Sequence, residues 1–168
     1  SIDSIVPLRE RLWSLAAGGL DAFVASDHGE ITDYRPLVKE LGLEDRVTMP
    51  GIVDDVTELM QAADLLVMSS LWEGLPLVVL EAQAAGLPVL AYRIPGTSEL
   101  LGDGTGLTVP VGEPETLGKE IAEALSAPEH LRSIAESGRQ QVERHYSFDR
   151  TVDALVEVYR QAIAPARL

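Results

Sequence analysis

Two glutamates eight positions apart, Glu73 and Glu81, are the residues of this chain whose types and spacing are best suited to chemistry. Both lie in the segment 64–96, where an apolar run is followed by a loop and then by a helical pattern beginning near Leu75 or Pro76. Pro is favourable at a first helical position, because the N–H it lacks has no intrahelical partner there. Glu81 lies roughly 7–8 Å along the helix axis from Pro76, which allows both carboxylates to line one crevice.

The start of this helix is suited to a phosphate group. In open parallel sheets, ligands bind beyond the carboxyl ends of the strands, on the loops that lead into helices. The first turn of a helix offers free backbone N–H groups and the positive end of the helix dipole. Gly74, just before that turn, would let a diphosphate approach the backbone closely. The segment therefore predicts a diphosphate site with Glu73 and Glu81 on either side of it.

Each of these residues also has a purely structural interpretation, which the spacing leaves open. Glu73 would complement the helix dipole, and Gly74 would be an ordinary turn residue. The helix around Glu81 is so apolar that it is expected to be buried on most sides. A buried carboxylate without a partner costs several kcal/mol, so Glu81 would pair with a buried Arg or face a polar cavity.

Alternating apolar runs and helical patterns must position these residues. This alternation along the chain predicts an α/β fold with a buried parallel sheet and helices on both of its faces. From about Pro114 the strands stop, and consecutive helices form a C-terminal tail. The expected strands are Ala22–Ala25, Val47–Met49, Leu65–Met68, Val89–Tyr92 and Leu107–Val109, and the expected helices are Arg9–Ala17, Ile31–Leu41, Asp55–Ala63, Pro76–Ala85, Glu115–Leu125, Glu129–Arg144 and Phe148–Ile163.

Composition excludes several classes of function. The 168 residues are enough for one domain, and a net charge of −14 argues against binding to nucleic acid or anionic lipid. The chain has no Cys, which excludes disulfides, thiolate metal sites and a Cys nucleophile. It has no run of 18 apolar residues and no basic region followed by an apolar stretch at its start. A transmembrane span and a signal peptide are therefore not expected.

The string from Glu73 to Val89 resembles the Glu-x7-Glu motif of GT-B glycosyltransferases of family 4. The resemblance covers about Asp21 to the end, and it implies one half of a GT-B fold: a single Rossmann-like domain over residues 1–168. The core would span about 21–112 and the helical tail about 113–168, without the family's N-terminal acceptor domain. Landmarks in the family's order are LGLEDRV at 41–47, GIVDDV at 51–56, ADLLVMSS at 63–70, PGTSEL at 95–100, TGLTVP at 105–110, PETL at 114–117 and YSF at 146–148.

The resemblance implies a retaining transfer of a sugar from a nucleotide-diphosphate sugar to a glycan, lipid or small-molecule acceptor. Glu73 would be the catalytic residue, stabilising positive charge near the reacting carbon of the donor sugar. Glu81 would accept hydrogen bonds from the ribose hydroxyls. The other implied donor-binding residues are Gly74, Leu75, Leu77 and Val78, whose backbone N–H groups would hold the sugar and the diphosphate, and Val53 and Asp55, which would lie near the nucleobase.

The resemblance also implies that no metal or other cofactor is needed, and Asp54 and Asp55 are adjacent rather than an Asp-x-Asp pair. It implies a cytoplasmic enzyme of polysaccharide biosynthesis whose C-terminal helix, Phe148–Ile163, crosses back to the acceptor domain. The partners expected are a nucleotide sugar and that missing domain, with no nucleic acid and no membrane span.

Several residues depart from the family pattern. No Arg and Lys pair for the diphosphate occurs in residues 1–19, and SDHGE at 26–30 replaces the usual Gly-rich strand end. His28 would be structural or solvated, or would face the cleft; Arg93 would reach a phosphate or form a salt bridge. The isolated chain is therefore expected to be inactive. Two alternatives stay open: a non-catalytic nucleotide-binding or scaffold domain, and an inverting relative such as a nucleotide-sugar epimerase.

Overall fold

A computed structural model describes residues 35–50 and 53–163 of the chain. At its centre is a parallel sheet of three strands in the order β1-β2-β3. The strands are β1 (Leu66–Met68), β2 (Val89–Tyr92) and β3 (Leu107–Val109). They confirm three of the expected strands, and the parallel order places all three carboxyl ends at one edge of the sheet.

Seven helices accompany the sheet in the part of the chain that the structure describes. Within that same part, no helix combines the length and the apolar character needed to cross a membrane. The helices are α1 (Arg35–Glu40), α2 (Val56–Ala62), α3 (Leu77–Ala85), α4 (Pro95–Leu100), α5 (Pro114–Ser126), α6 (Pro128–His145) and α7 (Phe148–Ile163).

The sheet is covered on both faces, as expected. Side chains alternate between the two faces of a strand, and all four residues of β2 are fully buried. Val89 and Ala91 pack in one cluster with residues of α2, α3 and α4. Leu90 and Tyr92 pack in a second cluster with Leu117 and Ile121 of α5. The helix α6 packs on both α3 and α5, so that the tail begins as part of the folded core.

The expected strand at Val47–Met49 is wrong. These residues have irregular backbone, the N–H of Val47 donates to the carbonyl of Leu43 at 3.0 Å, and the Val47 side chain packs toward Val38. A short apolar run does not by itself distinguish a strand from a loop that packs on a helix, and the following Pro50 has no N–H for a strand ladder. The expected strand Ala22–Ala25 and helix Arg9–Ala17 lie outside the described residues.

The helix α4 is not predicted from the sequence, because PGTSEL contains Pro, Gly and no apolar periodicity. Pro95 at the first helical position is the signal that indicates it. The other helices end within a few residues of their expected limits, and α7 matches its expected range. Of the expected helix Ile31–Leu41, the described part forms α1.

The last helix, α7, has an apolar stripe that the described part of the chain does not cover. Val152, Leu155, Val156 and Tyr159 follow helical spacing, yet no residue of α7 is buried. Burial of one apolar face supplies most of the stability of a helix in a protein. The folded core therefore contributes little to the stability of α7.

We expect the amides of α7 to exchange with solvent faster than those of β1 in the 168-residue chain. Exchange protection follows the free energy of local opening, which is low where few apolar contacts hold a segment. Hydrogen exchange followed by NMR or mass spectrometry measures the difference. The helix α6, which is partly buried, is the internal control. Protection of α7 equal to that of β1 would contradict the expectation.

Candidate functional site

The candidate site lies at the edge of the sheet formed by the carboxyl ends of the strands. The loop of residues 69–76 leads from β1 to α3, and Pro76 is the N-cap of that helix. The helix starts at Leu77, slightly later than expected, because Pro76 has extended backbone (φ −72°, ψ 101°). Within residues 35–50 and 53–163, no side chain caps α3, and the first N–H groups of a helix have no intrahelical acceptor. The N–H groups of Leu77 and Val78 are therefore directed out of the helix, toward this edge of the sheet.

Glu73 and Gly74 lie in the loop just before these N–H groups. Glu73 is half-buried, whereas Gly74 and Leu75 are exposed. A Cβ added to Gly74 would meet no atom of the described residues within 4 Å, and the backbone of Gly74 is outside the left-handed region. Neither the space nor the turn conformation requires glycine at position 74. Gly74 lies in a bend of the loop, so its interpretation as an ordinary turn residue stays open beside that of a ligand contact.

Glu81 is exposed, so the expectation that α3 buries it is wrong. The helix buries a single face, formed by Val79, Ala82 and Gln83. Leu77 and Val78 at its start are exposed, so the apolar sequence does not reflect burial on most sides. In the part of the chain that the structure describes, no Arg forms an ion pair with Glu81. The structural interpretation that pairs Glu81 with a buried Arg is therefore also wrong.

The buried polar residue of α3 is Gln83, which anchors the helix at the end away from the site. Its Nε2 donates to the carbonyls of Leu100 and Thr105, each at 3.1 Å. Because both acceptors are carbonyls, the reversed amide would place Oε1 against two oxygens, which fixes the orientation of the side chain. The left-handed Gly86 (φ 76°) then ends the helix, as the sequence predicts.

Val53 and Asp55 belong to a separate segment, before α2. Val53 is half-buried, and Asp55 is the exposed N-cap of α2, where its Oδ1 accepts from the N–H of Thr57 at 2.8 Å. The hydroxyl of Thr57 and then its backbone N–H lower the pKa of Asp55. Asp55 thus has a structural role. Its segment is connected to the site through the packing of α2 against α3.

Arg93 follows the carboxyl end of β2 and is exposed. Its Nε donates to Oγ1 of Thr108 at 3.1 Å, so its side chain is directed toward β3 rather than toward the Glu73 loop. Within residues 35–50 and 53–163, no carboxylate pairs with Arg93, and no three metal-ligating side chains come together. His28 and residues 1–19, where the diphosphate-binding Arg and Lys are expected, lie outside the described residues.

The structure thus brings five of the predicted site residues together: Glu73, Gly74, Leu75, Leu77 and Val78. Glu81 lies about one helical turn beyond Val78 on the same helix, and Val53 and Asp55 lie apart. One residue at this edge is missed by the sequence reasoning, namely Gly96 at the start of α4. It is buried against the backbone of Glu73 and Gly74. A Gly directly after a Pro, just past a buried strand, is the sequence signal for such a close approach.

Comparisons with known proteins bear on the sequence and the fold of this chain. Residues 10–141 match the family described as "Glycosyl transferases group 1". The chain is 35% identical over 163 residues to the D-inositol 3-phosphate glycosyltransferase of Saccharomonospora viridis, covering 95% of this chain and 37% of that protein. Among solved structures, sucrose-phosphate synthase from Thermosynechococcus elongatus has a TM-score of 0.80 at 28% identity, covering 94% of this chain and 43% of the synthase.

A second solved structure has the same fold with a nucleotide bound. Anabaena HepE in complex with UDP has a TM-score of 0.79 at 23% identity, covering 94% of this chain and 46% of HepE. HepE has also been crystallised with UDP-glucose. The chain therefore spans less than half the length of each of the three proteins described, and the part that matches has the architecture of one half of a GT-B enzyme.

Proposed function

Because the chain belongs to the group 1 glycosyltransferases, we propose that it binds the nucleotide-diphosphate sugar of such an enzyme and carries the glutamate that acts at the reacting carbon. The observation that supports this most is the uncapped start of α3, directly after the Glu73–Gly74 loop. An uncapped helix start provides N–H donors and a positive dipole end, and both are suited to a diphosphate. A donor bound there has Glu73 beside its sugar.

In this proposal the donor is held mainly by backbone groups. The N–H groups of Leu77 and Val78, with those of Gly74 and Leu75, donate to the diphosphate and to the sugar hydroxyls. Pro76 has no N–H and donates nothing. Glu81 accepts from the ribose hydroxyls, and its exposure in the unbound chain leaves both oxygens available for that contact. Val53 and Asp55 lie on the nucleobase side.

Glu73 supplies the negative charge of the site. As the bond between the sugar and the diphosphate breaks, positive charge develops at the anomeric carbon. A carboxylate fixed beside that carbon stabilises the transition state more than the ground state, which is the condition for catalysis. The reaction we propose proceeds with retention at that carbon, without a bound metal. The acceptor is a glycan, a lipid or a small molecule; inositol 3-phosphate is the first candidate, after the S. viridis relative.

Gly74→Ala tests whether a ligand approaches the loop at this point. The added methyl meets no protein atom, and replacing Gly by Ala usually stabilises a compatible backbone, so the melting temperature should not fall. If the donor approaches there, the methyl should weaken binding of UDP-glucose about 10-fold or more, which is typical of adding a methyl group to a close-packed contact. Calorimetric titration of the variant with UDP and with UDP-glucose measures the loss.

Gly102→Ala is the matched control for this variant. Gly102 is also exposed, its added Cβ would meet only the carbonyl of Ser98 at 3.4 Å, and it lies in the loop that leads to the opposite edge of the sheet. The affinity of the Gly102→Ala variant for UDP-glucose should equal that of the unmodified chain. Unchanged donor affinity in Gly74→Ala, with the same melting temperature, would mean that no ligand approaches this loop.

A further inference from the structure

The loop that carries Glu73 is in close contact with a glycine of the next strand-to-helix connection. Gly96 lies in the first turn of α4, just past the carboxyl end of β2, and it is buried. A Cβ added to Gly96 would lie 2.5 Å from the carbonyl oxygen of Gly74 and 2.8 Å from that of Glu73. A carbon and an oxygen repel strongly at such distances. Only a hydrogen atom therefore fits between the start of α4 and the loop.

The start of α4 is itself held firmly to the end of β2. Thr97 is fully buried, and its Oγ1 donates to the carbonyl of Tyr92 at 2.5 Å and accepts from the N–H of Ile94 at 3.1 Å. The N–H of Ser98 donates to the carbonyl of Ile94 at 2.8 Å. The bond from Thr97 to Tyr92 ties the first turn of α4 to the strand, and the two bonds with Ile94 close that turn, so the surface that Gly96 presents to the loop is held in place.

We propose that Gly96 is a positioning residue for Glu73. Because it has no side chain, the rigid start of α4 can support the peptide groups of Glu73 and Gly74 directly, and this contact sets the direction in which the Glu73 side chain leaves the loop. Gly96 itself touches no substrate. The inference rests on the proposed function, since it concerns the placement of the carboxylate that acts on the donor sugar.

Gly96→Ala should displace the loop rather than adjust a side chain, because both opposing atoms belong to the backbone. To reach an allowed separation, the loop must move by about half an ångström or more. Catalytic groups misplaced by about 1 Å can cost about 100-fold in rate. We therefore expect kcat to fall about 10- to 100-fold. The Kd of UDP should rise by a smaller factor, because the loop supplies only the N–H groups of Gly74 and Leu75 and the other proposed contacts with UDP lie on α3.

The displacement can be observed in the 168-residue chain without any activity assay. In two-dimensional ¹⁵N NMR spectra, Gly96→Ala should shift the amide signals of Glu73 and Gly74 and the indole N–H signal of Trp72. Trp72 precedes Glu73 and is largely exposed, so its signal reports on the loop rather than on the core. Unchanged loop signals in a folded Gly96→Ala chain would overturn the inference.

Gly106→Ala is the matched control. A Cβ on Gly106 would also meet its neighbour too closely, but that neighbour is the side chain of Leu101, and Gly106 precedes β3 at the opposite edge of the sheet. This variant should lower the melting temperature and leave the loop signals in place. Equal loop shifts in both variants would show that the effect is general destabilisation, which would also overturn the inference.

Thr97 provides a second test if Gly96→Ala does not fold. Thr97→Val removes the hydroxyl that holds α4, and Thr97→Ser keeps it. Loop signals should change in Thr97→Val and be restored in Thr97→Ser. Loop signals unaffected in Thr97→Val would show that α4 does not position the loop.

Kinetics in the complete natural protein that contains this chain separate this inference from the proposed function. A loss of kcat in both Glu73→Gln and Gly96→Ala that exceeds any loss of UDP affinity supports both. A loss in Glu73→Gln alone overturns the positioning role and leaves the proposed function intact. Full activity in Glu73→Gln overturns the proposed function, and the role of Gly96 with it.

Discussion

Replacing Glu73 by Gln is expected to lower the kcat of sugar transfer about 100- to 1,000-fold, with the Kd of the nucleoside diphosphate nearly unchanged. Gln keeps the size and the hydrogen-bonding oxygen of Glu but removes the negative charge. That charge matters when positive charge develops at the anomeric carbon, so the loss should appear in the transition state rather than in ground-state binding. The measurements are kcat and KM in the complete natural protein, beside calorimetric titration with UDP.

Glu81→Ala is the contrasting variant for this experiment. The ribose contact that we propose for Glu81 is made in the ground state, so its removal should weaken binding of UDP and of UDP-glucose by the same factor, roughly 10- to 150-fold. The side chain is exposed and forms no ion pair in the described part of the chain, so its removal should leave the melting temperature unchanged. A change confined to affinity would thus identify a ligand contact.

Two outcomes would contradict this assignment. Unchanged UDP affinity in a folded Glu81→Ala protein would remove the ribose contact from the proposal. Full activity in Glu73→Gln would remove the catalytic role and favour a non-catalytic nucleotide-binding domain. Lower melting temperatures in both variants with unchanged affinity would restore a purely structural interpretation of the two glutamates.

Acceptor-dependent turnover should be undetectable in the purified 168-residue chain. The relatives are more than twice as long as their matched part, and we propose that the rest of such an enzyme binds the acceptor. Holding two reactants in one crevice contributes about 7–11 kcal/mol to lowering a barrier, which is at least 100,000-fold in rate. A chain that holds the donor alone lacks this contribution.

The measurement is release of UDP from UDP-glucose by the isolated chain, with and without inositol 3-phosphate. The complete natural protein that contains the chain, assayed with the same donor and acceptor, is the positive control. Turnover by the isolated chain that rises with acceptor concentration would show that these residues bind both substrates. The proposal that the acceptor binds to another part of the enzyme would then be wrong.

The chain's alternating pattern was sufficient to predict the sheet that supports the site. Three parallel strands lie where short apolar runs predict them, since strands buried on both faces are apolar throughout. The end of α3 follows from Gly86 and Pro88, because glycine tolerates the left-handed cap and proline prevents continuation. The family follows from the string around the two glutamates, and the comparisons confirm it.

Burial around the site was not predictable from sequence in the same way. An apolar helix was expected to bury Glu81, but Leu77 and Val78 at its start are exposed, and only Gln83 among its polar residues is buried. The sequence around Gly96 indicates a close approach of the backbone, but it does not indicate that the partner is the loop of Glu73 and Gly74. Such close approaches depend on the packing of the folded chain, which local propensity does not encode.

The anchoring of Gln83 also constrains how this sequence can change during evolution. Gly138 of α6 lies against Gln83: an added Cβ would be 3.0 Å from Cγ of Gln83 and 3.0 Å from the carbonyl oxygen of Thr105. An Ala at 138 would push apart the side chain and the carbonyl that hydrogen-bond to each other. Substitutions at 83 and 138 are therefore expected to be coupled. A lineage that replaces the glycine strains the amide contact, and with it the fixed end of the helix whose other end we propose to face the donor.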